Sequence, residues 1–109
     1  MVVLEIDPNE CNYLTVGEES FFLFRTCDER TMVCPDACPH RGGPLHMGKM
    51  NCQTRSLTCP WHETVIMERA LTRRSVPAVA ASGRVTAVFS VAPGTPVLRT
   101  KRRIFVNER

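Results

Sequence analysis

No apolar run in this 109-residue chain approaches the roughly 20 residues that cross a bilayer; the longest, around Val85 to Ala92, is broken by Thr86 and Ser90. A transmembrane anchor is therefore not expected. Aromatics are scarce, with one Trp, one Tyr and five Phe, a thin supply for the core of a domain this size. Internal repeats, low-complexity tracts, Gly/Ser linkers and a sustained period near 3.6 are all missing, which excludes solenoids, coiled coils and long-helix bundles. The opening MVVLEIDPNE has no basic segment followed by an apolar one, so no secretory signal is read there and a cytoplasmic location is expected. The chain also has no paired carboxylates, phosphate loop or serine triad with which to support hydrolysis or phosphoryl transfer.

What is present fits a small folded unit. The length matches one domain, expected over 1–109, and 43% hydrophobic with 23% charged residues excludes a disordered chain. The net charge is +3, and the basic residues gather late, in Arg69, Arg73, Arg74, Arg84, Arg99, Lys101, Arg102 and Arg103. No nucleic-acid motif accompanies them, so the excess suits an acidic face on a protein partner better than nucleic acid or a membrane. Strand-like runs recur at Val2–Ile6, Phe21–Arg25, Thr31–Cys34, Ser56–Cys59, Thr64–Met67, Arg84–Val91, Val97–Thr100 and Arg103–Val106. Turn residues in DPNE, CDER, ASGR and APGTP separate them. This cadence predicts an all-β antiparallel sandwich or barrel, with room for a helical turn at Glu68–Arg73 or Ala78–Ala81.

One stretch breaks the cadence. Residues 34–62 hold four of the six cysteines and all three histidines, and Pro35, Pro39, Pro44, Pro60, Gly42, Gly43 and Gly48 make the stretch a shaped loop region. It contains two mixed pairs, Cys38-Pro-His40 and Cys59-Pro-Trp-His62, with 18 residues between His40 and Cys59. Each pair offers a thiolate and an imidazole, so two such loops can hold two sulfide-bridged irons, thiolates on one and imidazoles on the other. Neutral imidazoles make the oxidised cluster formally uncharged, which places such centres at roughly −150 to +300 mV against about −400 mV for four-cysteine plant-type clusters.

The segments CPHRGGPL and CPWH resemble the two cluster-binding loops of the Rieske family, C-x-H-x-G-x-x-L and C-x-x-H. Cys38, His40, Gly42 and Leu45 match the first, and Cys59 and His62 the second. The resemblance implies an antiparallel β-sandwich (1–33 and 65–109) with an inserted two-loop subdomain near 34–64. It implies one [2Fe-2S] cluster on Cys38, His40, Cys59 and His62, with Arg41, Gly42, Gly43, Leu45 and Trp61 in the surrounding shell. Respiratory-type members carry an extra cysteine in each loop; here Gly43 and Trp61 hold those places, so the resemblance is to the ferredoxin and oxygenase branch. Such a protein is a soluble one-electron carrier without substrate turnover of its own. It takes electrons from a flavin-dependent reductase and gives them to a terminal oxygenase, docking near His40 and His62. A permanent subunit resembling the small subunit of nitrite reductase, or a regulatory module, is the alternative. The sequence departs from the ferredoxin pattern after His62, reading Glu63-Thr64-Val65-Ile66, and the family's third, shielding loop would fall near Arg69–Pro77 and be short.

Blander readings stand beside these. Cys34, Cys38, Cys52 and Cys59, with His40 and His62 in reserve, could build a zinc site in an interaction module. Cys38 or Cys59 could be a nucleophile with a histidine base, although two symmetric pairs argue for shared ligation. Cys34 and Cys52 read as small buried residues or free thiols, Cys11 and Cys27 carry no signal, and His46 reads as a loop-surface residue. Trp61 reads as a packing residue that excludes water, and Arg41 as a solvated charge.

Overall fold

The run Phe21-Phe22-Leu23-Phe24 lacks apolar/polar alternation, and in a strand that pattern means burial on both faces. The computed structural model, which describes residues 1–38, 43–61, 63–104 and 107–108, places this run between two layers. The strands are β1 (Val2–Ile6), β2 (Tyr13–Val16), β3 (Glu19–Arg25), β4 (Thr31–Pro35), β5 (Lys49–Asn51), β6 (Ser56–Thr58) and β7 (Val65–Met67). A short helix α1 (Glu68–Arg74) follows, then β8 (Ala78–Ala81), β9 (Arg84–Phe89), β10 (Val97–Thr100) and β11 (Asn107–Glu108). They form three sheets, ordered β1-β9-β8, β10-β2-β3-β4 and β11-β5-β6-β7, antiparallel throughout except for the β11–β5 pair. The expected all-β class is therefore observed.

The two-residue period of β3 sorts its aromatics between the layers. Phe21 and Leu23, with Val33, meet Ile6, Val85, Ala87 and Phe89 in one core, where the Phe21 and Phe89 rings pack edge to face at 5.0 Å. Phe22, Phe24 and Cys34 meet Leu45, Met50, Leu57, Ile66 and Leu71 in the other. Each buried large side chain contributes roughly 1.5–3 kcal/mol, so a few aromatics serve two cores by sharing one strand.

Helix α1 covers the Glu68–Arg73 stretch. At seven residues it is too short to be stable alone, and it depends on Leu71 in the core and on the buried Glu68. The Glu68 carboxylate accepts the Cys27 backbone N–H at 3.0 Å and an Arg55 N–H at 2.6 Å. The other candidate, Ala78–Ala81, is strand β8: Ser82 and Gly83 both take positive φ (54° and 75°), the geometry of a two-residue hairpin turn, and this pairs Ala81 with Arg84. The run Arg103–Val106 does not form a strand over Arg103 and Ile104; Phe105 and Val106 lie outside the described residues.

Cys27 and Cys52, read as an uninformative residue and a small buried residue or free thiol, form a disulfide with a Cα–Cα distance of 5.7 Å. It joins the turn after β3 to the turn after β5. Beside it Arg55 bridges Asp28 at 2.7 Å and Glu68 at 2.6 Å, and the Arg55 hydrogen bond holds the Asp28 carboxyl below its ordinary range. Two hairpin turns from different sheets are thus fixed covalently and ionically at one point. With 25 residues of sequence separation, a Cys27→Ser, Cys52→Ser double variant should unfold in urea with about 3 kcal/mol less stability and an unchanged far-UV spectrum.

Candidate metal centre

Cys38 and Cys59 open equivalent hairpin tips. Ala37 bridges Pro44, Thr58 pairs with Val65, and in each case six residues, 38–43 and 59–64, span the gap. The first residue of each tip is a cysteine whose backbone N–H closes the loop onto the last carbonyl: Cys38 to Gly43 at 2.9 Å and Cys59 to Thr64 at 2.8 Å. In the second tip, Glu63 at φ 52° turns the chain back and donates its N–H to the Cys59 carbonyl at 3.0 Å. Both cysteines are buried and outside any disulfide.

The loops also touch. A Cβ placed on Gly43 would lie 2.9 Å from the Cys59 sulfur and 3.2 Å from the Trp61 ring, so only glycine lets the first backbone run this close to the second thiol. Two buried thiols on matching loops, each followed within three positions by a histidine, form a donor set suited to a two-iron cluster with mixed ligation. His40, Arg41, Gly42 and His62 lie outside the described residues. Of the expected surrounding residues, Gly43 is at the loop contact and Leu45 is fully buried beneath it. Trp61 is 60% exposed, which corrects its reading as a water-excluding residue: Leu45, Leu57 and Ile66 already fill the space below the tips, leaving the indole outside.

His46, expected on the loop surface, is buried. Its backbone N–H and ring Nδ1 each lie 2.8 Å from the Asp36 carboxylate, which also accepts the Tyr13 hydroxyl at 2.9 Å. The Leu45 N–H donates to the Asp36 carbonyl at 2.9 Å. Asp36 therefore ties the exit of the first cysteine loop to the end of β4 and to β2. Burial is the largest influence on Tyr13, raising its pKa, and the Arg102 guanidinium covers its ring at 4.0 Å. Sequence reasoning passed over this network, for which the available signal was one acidic residue ending an apolar strand two positions before Cys38.

The remaining cysteines separate by role. Cys34 is fully buried, as expected; its sulfur points to the Leu71 carbonyl at 3.6 Å, and burial pushes the thiol up to about 12. Cys11 is buried with its sulfur 3.6 Å from the Tyr13 carbonyl. With Cys52 in a disulfide, the four-cysteine zinc set is not formed, and no group of three His, Cys, Asp or Glu suited to a metal occurs among the described residues. The segment expected as a third loop, Arg69–Pro77, is mostly α1, whose final Arg74 donates to the Ala37 carbonyl at 2.9 Å.

A family model described as the Rieske [2Fe-2S] domain matches residues 1–93. No curated protein and no solved structure matches significantly.

The Gly43 contact makes a direct test. Gly43→Ala should at least halve the iron retained per folded chain, measured by metal analysis beside a circular dichroism spectrum that reports the fold; unchanged iron would show that the loops need not approach this closely.

Proposed function

Because the chain belongs to the Rieske [2Fe-2S] family, whose domain binds a [2Fe-2S] cluster, we propose that it is a one-electron carrier delivering electrons from a flavin-dependent reductase to a terminal oxygenase. The observation that carries the reading is the pair of equivalent six-residue tips, each closed by its cysteine N–H and brought into contact at Gly43. In this assignment Cys38 and Cys59 hold one iron, and His40 and His62 hold the other. When bound, the cluster supplies reversible one-electron chemistry with a single negative charge gained on reduction.

The chain's own residues shape that site. Prolines after both cysteines stiffen the tips and lower the entropy lost when ligands converge. The Asp36 network and the Cys27–Cys52 disulfide hold the supporting hairpins, so Cys38 and Cys59 are set before the cluster arrives. Exposed Trp61, between Cys59 and His62 in sequence and beside Gly43, offers an aromatic surface where a redox partner would dock. No helix among the described residues is long and apolar enough to cross a membrane. The chain itself turns over no substrate in this reading.

Substituting Cys38 or Cys59 by Ser, or His40 or His62 by Ala, should abolish the visible spectrum of the cluster, whereas Cys11→Ser should keep it. Functionally, the purified protein with catalytic flavin reductase and NADH should become reduced and then reoxidise on adding an oxygenase. The exposed Arg73, Arg99 and Arg103 suit an acidic partner face, so this relay should slow as salt rises. A protein that no reductase can reduce would contradict the carrier role, and a salt-independent rate would contradict the charge-assisted docking.

A further inference from the structure

Arg74 closes α1 and reaches across to the base of the first ligand loop. Its Nη2 donates to the carbonyl of Ala37, the residue bridged to Pro44 and immediately preceding Cys38. Its Nη1 is the one buried side-chain nitrogen or oxygen among the described residues that has no hydrogen-bond partner. A guanidinium N–H removed from water without an acceptor carries an uncompensated desolvation cost, and such an atom calls for a partner. No carboxylate offsets the charge either: the ion pairs among the described residues use Arg30, Arg55, Arg84 and His46. The neighbouring Arg73 is exposed and needs no such explanation.

We propose that Arg74 is the built-in counter-charge for the electron accepted between the two loops, and that it raises the reduction potential of the centre. This rests on the reading of the chain as a Rieske carrier. One electron, from the flavin reductase or from dithionite in a titration, converts one ferric ion to ferrous and takes the formal charge from zero to minus one. No bond to Arg74 forms or breaks. A fixed cation at the foot of a ligand loop favours the more negative state, and a site of low dielectric strengthens the effect. The planar guanidinium suits the position because one nitrogen can be held by Ala37 while another stays turned inward. The same charge already acts on a nearby sulfur, opposing the effect of burial on Cys34.

Potentiometric titration of the loaded protein, followed by the EPR signal of the reduced centre, tests this with three variants. Arg74→Gln should lower the equilibrium constant for reduction about tenfold, equivalent to about 59 mV for one electron. Arg74→Lys, which keeps the charge, should stay within threefold of the parent, and Arg73→Gln, which removes an exposed charge from the same helix, within twofold. An Arg74→Gln value within twofold of the parent, or an equal shift in Arg73→Gln, overturns the proposal. If Arg74→Gln loses the cluster, the Lys variant decides: a tenfold fall with the charge retained overturns it. Absence of iron and sulfide from the parent would defeat the carrier reading itself, whereas loaded protein with an unmoved potential defeats only the role of Arg74.

Discussion

Everything in this molecule is built on a strand that must be buried twice. Phe21 and Leu23 fill the core against β1 and β9, while Phe22 and Phe24 fill the core beneath the cysteine loops. With so few aromatics, the chain gains two cores only by placing one strand in the middle of three layers. Loss of Phe22 or Phe24 would therefore leave a cavity under the loops, while loss of Phe21 would act on the far side, away from the site.

From that base the path to chemistry is short. Strand β4 leaves the central sheet and runs through Asp36 and Ala37 into Cys38; β6 leaves the third sheet at Thr58 and enters Cys59. Each tip closes through its cysteine N–H, and Gly43 brings the first tip against the Cys59 sulfur, so sheet geometry sets two buried cysteines on adjoining tips. Around them, Asp36 gathers Tyr13 and His46, and the Cys27–Cys52 bridge with Arg55 fixes the opposite turns. Among the described residues the one buried side-chain nitrogen or oxygen without a partner is on Arg74, which makes it informative.

How much of this was legible depends on the range of the interaction. Strands β1 and β10 were read at their observed limits because turn residues such as Asp7-Pro8 and Pro93-Gly94 bound them. Strand β2 escaped because Tyr-Leu-Thr-Val is short, and β5, three residues long, was hidden among turn residues. The Ala-rich β8 has little local preference, and its partner β9 decides its state. The cysteine-histidine pairs stood out as a local, repeated pattern. The Cys27–Cys52 bridge did not, because nothing in two cysteines 25 residues apart reveals that their turns meet. His46 looked like a loop histidine for the same reason: its burial is created by Asp36 and Tyr13, which are distant in sequence. Trp61 was misread because an aromatic usually packs inward, whereas here the space beneath the tip is already occupied.

In the proposed function these two tips hold a mixed-ligand iron–sulfur cluster. Iron, zinc and acid-labile sulfide analysis of anaerobically purified protein, with low-temperature EPR after reduction, tests it most directly. Two irons and two sulfides per chain, with a rhombic signal whose average g value lies below that of the free electron, are expected. Stoichiometric zinc without sulfide would contradict it and make the two loops a structural metal site.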